Sequence, residues 1–247
     1  IDGDTAVFGA YLEGTGGSAY VFTRSGTTWS QQAKLTGSTV VSGDEFGYSV
    51  AISGDTIVVG ARAESSSDDA YNGDAYVFTR SGTTWSQQQK LSISGATAND
   101  NFGQEVAVDG NYAVISAYGE DDNGSGAGAA YVFIRSGTTW TQQQRLVSSD
   151  IAAGDWFGYD VDIEGDVIVV GAPMETTGGS SAGAIYVFTR SGTTWSQQKK
   201  LVASDAAASD MFGWAGVRID SDTVVVGAPY EDTEGSNAGA GYIFLGG

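Results

Sequence analysis

The hydrophobic pattern along the chain repeats with a fixed period. The apolar segment Tyr20-Val21-Phe22 recurs at intervals of 55 or 56 residues, and the pair Phe46-Gly47 recurs with the same spacing. The later copies begin at Tyr76, Tyr131, Tyr186 and Tyr242 for the first segment, and at Phe102, Phe157 and Phe212 for the second. Self-similarity over such a length is typical of folds built from repeated supersecondary units.

Within one period the pattern predicts four short strands, which we label a to d. Residues 46–52 alternate enough for a half-buried strand a, whereas residues 56–61 form a continuous apolar run that indicates burial of strand b on both faces. Residues 75–80 and 85–91 form strands c and d around a Ser-Gly-Thr turn. Four antiparallel strands, the second apolar on both faces, predict a blade packed between two like blades.

We therefore predict an all-β fold: a single β-propeller domain over residues 1–247, with about five four-stranded blades. The repeats lie at approximately 1–35, 46–91, 102–146, 157–201 and 212–244. The terminal blades are expected to be incomplete, because the first supplies only b, c and d and the last only a, b and c. Three explanations stay open: a longer natural chain, a neighbouring subunit, or an irregular closure that supplies the missing edges.

The composition of the chain excludes some classes of partner and favours others. The chain has 30 acidic and 11 basic residues and a formal net charge of −19. Nucleic-acid binding depends on basic side chains, so nucleic acid is excluded as a partner. The charge favours an extracellular or cell-surface protein, attracts divalent cations and repels anionic membranes. Membrane insertion is not expected, because no apolar stretch approaches the roughly 18 residues of a span.

The residues usually needed for catalysis are missing or unsuitably placed. The chain has no Cys and no His, which removes thiol nucleophiles and the commonest general base. Carboxylates alone can hydrolyse glycosides, but only as one pair at a defined separation, and the acids here repeat symmetrically. We therefore expect a protein that is not an enzyme.

The motif that accompanies each repeat resembles that of a known family. Phe157-Gly158 is followed by Gly171-Ala172-Pro173, and Phe212-Gly213 by Gly227-Ala228-Pro229. This is similar to the FG-GAP repeat of the integrin α-subunit propeller and of many secreted bacterial proteins. The resemblance implies a propeller whose b–c and d–a loops form a partner-binding face, a role in adhesion or ligand recognition, and no catalytic set.

One feature of integrin-like repeats is not expected here. Those repeats often carry a calcium loop between strands a and b, but this chain has only tight connections such as Ser53-Gly54-Asp55. A hairpin of that length cannot wrap a cation with the six to eight oxygens that calcium prefers.

A different set of acids repeats in the other loops. A Glu lies three residues after the Ala of each Gly-Ala or Ser-Ala pair, and an Asp lies two residues before each Phe-Gly. Either these acids cap their loops and pair with neighbours, or they form calcium sites around one face. The candidate metal ligands are Glu13, Glu64, Glu120, Glu175, Glu231, Asp44, Asp100, Asp155 and Asp210.

The aromatic residues fall into two groups. Trp29, Trp85, Trp140 and Trp195 belong to the repeated hairpin, and we expect burial against a neighbouring blade rather than exposure for stacking on a sugar. Loop aromatics outside the repeat pattern are better ligand-binding candidates, because packing does not require them in every copy. These are Tyr118, Trp156, Trp214 and Tyr230.

Three functions follow as hypotheses. The leading one is a non-enzymatic extracellular adhesion or binding module that recognises a protein or glycan through its acidic b–c and d–a loops, with Ca²⁺ as a candidate cofactor. The second is a structural protein that self-associates into filaments or arrays through its terminal blades or through charge-opposed faces. Nine of the eleven basic residues lie in c–d hairpins, where they protect edges or dock on an acidic face. The third is a lectin.

Overall fold

The computed structural model describes residues 1–64 and 71–246, which form an all-β structure. These residues contain five antiparallel sheets and no helix, so no helix that could span a membrane is found among them. The sheets comprise β1 (Thr5–Ala10), β2 (Ser18–Ser25) and β3 (Thr28–Leu35); β4 (Phe46–Ser53), β5 (Thr56–Ala61), β6 (Asp74–Ser81) and β7 (Thr84–Leu91); β8 (Val106–Asp109), β9 (Tyr112–Ala117), β10 (Ala129–Ser136) and β11 (Thr139–Leu146); β12 (Val161–Glu164), β13 (Val167–Ala172), β14 (Ala184–Ser191) and β15 (Thr194–Leu201); and β16 (Ala215–Asp220), β17 (Thr223–Ala228) and β18 (Ala240–Leu245).

We number these sheets 1 to 5 along the chain. In each sheet neighbouring strands follow one another in sequence, and sheets 1 and 5 have three strands where the others have four. The predicted fold class, an all-β propeller of about five blades with incomplete terminal blades, is confirmed. Strand a of sheets 3 and 4 is shorter than predicted: it begins only at Val106 and Val161, and Phe102-Gly103 and Phe157-Gly158 lie in turns that precede it.

The chain divides into two compact units. Unit 1 comprises Ile1–Ile115 with Phe133–Gln142, and unit 2 comprises Ser116–Val132 with the chain from Gln143 onward. Unit 1 contains sheets 1 and 2, unit 2 contains sheets 4 and 5, and sheet 3 contributes residues to both.

The core of unit 1 lies between sheets 1 and 2. We call the face of sheet 1 that packs on sheet 2 its forward face and the face of sheet 2 that packs on sheet 1 its backward face, and we use the same names for the equivalent faces of the other sheets. The forward face of sheet 1 contributes Ala19, Val21 and Leu35, and the backward face of sheet 2 contributes Phe46, Ile57, Val59, Tyr76, Phe78 and Trp85. Burial of one large apolar side chain stabilises a fold by about 1.5–3 kcal/mol, so this interface is a major source of stability.

Unit 2 repeats the same interface with equivalent residues. Ile185 and Val187 on the forward face of sheet 4 pack against Phe212, Val224 and Val226 on the backward face of sheet 5. In both units the Gly of the Gly-Ala pair lets two sheets approach closely. A Cβ at Gly60 would lie 2.1 Å from the carbonyl oxygen of Gly103, and one at Gly171 would lie 2.3 Å from that of Gly213.

The prediction for the hairpin tryptophans is confirmed for three of four. Trp85, Trp140 and Trp195 are buried, and each indole Nε1 donates to a Gln on strand d of the preceding sheet at 2.7–3.1 Å. The prediction is wrong for Trp29, which is 39% exposed. Sheet 1 has no preceding sheet in the described chain to cover its backward face.

Candidate functional site

The repeated Glu opens every b–c loop through its backbone. In the third repeat the Glu120 N–H donates to the carbonyl of Ala117 at 3.2 Å, and the Glu120 carbonyl accepts from the Gly128 N–H at 2.9 Å. The other four repeats form the same two bonds. These bonds place the repeated Glu at the same point of each b–c loop.

In unit 1 the buried carboxylate of Glu64 binds a lysine of strand d. The Lys90 ammonium lies 2.7 Å from Glu64 and 2.8 Å from Asp74, and the Tyr76 hydroxyl also donates to Glu64. Burial raises the pKa of Asp74. Burial opposes the charged form of Lys90, but its hydrogen bonds to Asp74 and Glu64 outweigh this effect and raise the lysine pKa.

In unit 2 the equivalent pairs are Glu120 with Arg145, at 2.6 Å, and Glu175 with Lys200, at 2.9 Å. The two carboxyl groups titrate differently. Burial raises the pKa of Glu120, and nearby Asp122 adds to the rise although Arg145 opposes it. Burial also acts against the charged form of Glu175, but hydrogen bonds from Thr177 and Lys200 outweigh it and lower the pKa.

Glu13 and Glu231, the first and last of the repeated glutamates, are bound less closely by basic side chains than the other three. Glu13 accepts from the Tyr20 hydroxyl at 2.6 Å and from Lys34 at 3.1 Å, and these two bonds lower its pKa. Glu231 accepts from the Thr233 N–H at 2.7 Å. It forms no ion pair with the described residues, because the basic partner lies on strand d in the other repeats and sheet 5 has three strands.

The four aspartates before Phe-Gly fold their own loops. Each buried carboxylate accepts a hydrogen bond from the backbone N–H three residues earlier, at 2.6–2.8 Å. Burial raises the pKa of Asp44 and Asp155, and in each case the backbone bond opposes the rise. The aspartates are Asp44, Asp100, Asp155 and Asp210.

All nine acids predicted as metal ligands therefore have protein partners. Within residues 1–64 and 71–246 no three acidic side chains form a group that could hold a metal ion. The calcium hypothesis stays a prediction, and a cation would have to compete with Lys90, Arg145 or Lys200 for the repeated Glu. The sequence had left open that these acids cap their loops and pair with neighbours, but it did not name the basic partners, although a basic residue immediately before the last Leu of each complete strand d was a signal for them.

The four predicted ligand-binding aromatics come together in unit 2. Trp156 lies 5.5 Å from Tyr118 and 6.0 Å from Trp214 between ring centroids, and Trp214 lies 6.3 Å from Tyr230. Tyr159, which sequence reasoning missed, joins them: it stacks on Trp156 at 15° and lies 4.5 Å from Trp214. We call Tyr118, Trp156, Tyr159, Trp214 and Tyr230 the aromatic cluster.

Turn geometry holds the aromatic cluster in place. Trp156 adopts a left-handed backbone conformation (φ 56°), and its N–H donates to the carbonyl of Gly126 at 3.1 Å. Tyr159 closes the same turn by donating to the Trp156 carbonyl at 3.2 Å, and Trp214 closes the equivalent turn of the next repeat. The first four rings are half-buried and Tyr230 is 39% exposed, so the cluster presents aromatic surface to solvent.

Unit 1 has different side chains at the equivalent positions. Tyr11 and Tyr48 contact each other at 5.2 Å, and the Arg62 guanidinium lies 3.5 Å from the centre of the Tyr48 ring. Arg62 also binds Glu45 at 2.6 Å and Gln104 at 3.0 Å. At positions where unit 2 has aromatic rings in contact with one another, unit 1 therefore has a polar network centred on Arg62.

The aromatic cluster is suited to binding a ligand rather than to catalysing a reaction. Half-exposed tryptophan and tyrosine rings offer flat apolar surface with polar edges, which fits the apolar face of a sugar ring or an extended side chain of a partner. The nearby b–c loop carries Asp121 and Asp122, of which Asp121 accepts from the Gly126 N–H at 2.7 Å. Those carboxylates can accept hydrogen bonds from ligand hydroxyl groups.

The fold and this site define a β-propeller repeat protein of the binding type. Comparison with known families gives four matches to the FG-GAP repeat, at residues 29–78, 85–133, 140–188 and 195–244. The chain belongs to the FG-GAP repeat family. Each matched segment begins at the hairpin Trp of one sheet and ends in strand c of the next, so the sequence repeat runs across two sheets. No curated protein was found to be similar to the chain.

Proposed function

We propose that the protein is an extracellular or cell-surface binding module that recognises a glycan through the aromatic cluster of unit 2. FG-GAP propellers are typically non-enzymatic binding folds, which supports the general class. The observation that carries the specific proposal is the mutual contact of five aromatic rings in unit 2, at loop positions whose side chains vary from repeat to repeat.

The repeat itself does not need these rings. The residue after Phe-Gly is Tyr48, Gln104, Tyr159 or Trp214, so the turn forms with or without an aromatic side chain. Half-exposed tryptophans also lose hydrophobic stabilisation, which a folding role alone does not explain. Binding of a sugar ring would cover them.

Charge restricts the class of glycan. The chain carries a net charge of −19, and acids crowd the loops beside the aromatic cluster. Sialylated or sulfated glycans would be repelled, so the proposed ligand is a neutral or amino sugar.

The test is a glycan array followed by isothermal titration calorimetry with the best neutral ligand. Loss of one aromatic contact costs about 0.5–1.5 kcal/mol, so Trp214→Ala should weaken binding by about 2- to 12-fold. Tyr48→Ala, the equivalent change in unit 1, is the matched control and should leave the affinity unchanged. Circular dichroism melting establishes that both variants are folded. An array without any hit, or equal affinity in Trp214→Ala, would contradict the proposal.

A further inference from the structure

The loop that borders the aromatic cluster carries an exposed carboxylate. Asp121 uses one oxygen, Oδ1, to accept from the Gly126 N–H at 2.7 Å, and the residue is exposed to solvent. The Gly126 carbonyl accepts from the Trp156 N–H at 3.1 Å, and a Cβ at Gly126 would lie 3.4 Å from the indole Nε1 of Trp156. The carboxylate of Asp121 is therefore held beside the indole of Trp156.

Unit 1 shows that the same loop positions can hold a cation between an aromatic ring and a carboxylate. The Arg62 guanidinium lies 3.5 Å from the centre of the Tyr48 ring, and its Nε donates to Glu45 at 2.6 Å. The ring face and the carboxylate both attract the positive charge. In unit 1 the chain itself therefore supplies the cation at this surface.

Unit 2 has no basic residue at the position of Arg62. Arg62 follows the pair Gly60-Ala61 in the sequence. The residues that follow the equivalent pairs in unit 2 are Tyr118, Pro173 and Pro229. Arg145, the basic residue near the loop of Asp121, binds the carboxylate of Glu120 at 2.6 Å. A cation at the Arg62 position of unit 2 would therefore have to come from a ligand.

The charge of the surrounding loops favours a cationic ligand. Asp232, in the b–c loop that follows Tyr230, accepts from the Asn237 N–H at 2.5 Å, as Asp121 does from Gly126. Both aspartates are exposed, and the whole chain carries a net charge of −19. An ammonium group can donate several hydrogen bonds to such carboxylates while the apolar face of its sugar ring stacks on an indole.

We propose that the glycan bound by the aromatic cluster is an amino sugar with a protonated amino group, and that Asp121 binds this group. The inference rests on the proposed function, because the rings have to bind the sugar for Asp121 to reach its amino group. The rings contribute affinity for any sugar with an apolar face, whereas Asp121 selects the cationic one. An N-acetylated sugar keeps the ring but loses the charge, so it separates the two contributions.

Isothermal titration calorimetry with a glucosamine oligosaccharide and its N-acetylated counterpart of the same length is the test. The wild-type protein should bind the glucosamine form more tightly. Asp121→Asn should weaken binding of that form by about 1.5- to 5-fold, as expected for loss of an exposed ion pair, and leave the affinity for the N-acetylated form unchanged. The Asn oxygen can still accept from the Gly126 N–H, so the loop should keep its conformation.

Two further variants separate this inference from the proposed function. Asp222→Asn is the matched control: Asp222 is also an exposed aspartate of unit 2 but lies in the turn between β16 and β17, and its loss should leave both affinities unchanged. Trp214→Ala should weaken binding of both oligosaccharides. If neither oligosaccharide binds, or if Trp214→Ala has no effect, the proposed function itself is wrong.

Other outcomes would overturn the inference alone. Equal wild-type affinity for the two oligosaccharides, or equal losses in Asp121→Asn and Asp222→Asn, would show that Asp121 does not select a cationic sugar. A lysine-rich peptide that binds as tightly as the glucosamine form, with the same loss in Asp121→Asn, would assign the cation to a protein partner instead.

Discussion

The two units are built from the same repeated kinds of strand, but they differ in the side chains of the loops beside those strands. In unit 2 the residues around Phe-Gly and after the Ala are Tyr118, Trp156, Tyr159 and Trp214, which contact one another. In unit 1 a network of Glu45, Tyr48, Arg62 and Gln104 lies at the same positions. The strands and their glycines are constrained by the packing of sheet on sheet, whereas these loop positions are not, and they are therefore free to carry binding specificity.

The largest expected effect separates a packing position from a loop position two residues away. Phe212 is completely buried between sheets 4 and 5, and Phe212→Ala should lower the free energy of unfolding by about 3–5 kcal/mol. Trp214→Ala should cost much less stability, because its ring is half-buried. Urea denaturation measures both values, and equal losses would show that the aromatic cluster is part of the core.

The next effect tests the close approach of sheets. Gly171→Ala places a Cβ against the Gly213 carbonyl oxygen and should destabilise the protein by about 1–3 kcal/mol. Gly241→Ala is the matched control, because it is also a strand glycine of unit 2 but no atom lies within 4 Å of its Cβ position. A neutral Gly171→Ala would show that small size at this position is not required.

A smaller effect concerns the ion pairs of the b–c loops. Glu175→Gln should destabilise the protein by about 1 kcal/mol at pH 7, since the charged hydrogen bond to Lys200 is lost. The folded-state pKa of Glu175 is lowered, so the wild-type advantage is present above the unfolded pKa and disappears as pH falls through the folded one. Melting curves between pH 7 and pH 3 should therefore converge, and a constant difference would contradict the pairing.

The smallest effect is expected from calcium. The repeated glutamates already bind Lys90, Arg145 and Lys200, so 1 mM CaCl₂ and 1 mM EDTA should give melting temperatures within about 1 °C of each other. A rise of several degrees with calcium, absent with magnesium, would instead support the calcium sites predicted from the acids.

The hydrophobic pattern of the sequence predicts the limits of a strand well where those limits do not depend on an adjacent sheet. Strand b at Thr56–Ala61 agrees with its predicted limits, because a continuous apolar run between turn residues defines both ends. The burial of Trp29 was predicted wrongly because its hairpin sequence is the same as that of Trp140, and only the presence of an adjacent sheet distinguishes them. Sequence alone cannot supply that neighbour.

The candidate site was predicted in part. Tyr118, Trp156, Trp214 and Tyr230 were identified because they depart from the repeat, but their mutual contact depends on how successive loops lie beside one another. Tyr159 was missed although it occupies the same position as Trp214. Pairing of the acids with neighbours was one of two alternatives, but the basic partners were not named for a related reason: Glu175 and Lys200 are 25 residues apart in sequence, and only the pairing of strands c and d brings them together.

Fluorine NMR of the protein labelled with 5-fluorotryptophan tests the glycan site most directly, since the chain has six tryptophans. Saturation with the neutral glycan selected on the array should shift the resonances of Trp156 and Trp214, assigned by Trp→Phe variants, and leave Trp85, Trp140 and Trp195 unchanged. A glycan that binds without moving Trp156 or Trp214, or that shifts Trp29 instead, would contradict the assignment of recognition to the aromatic cluster.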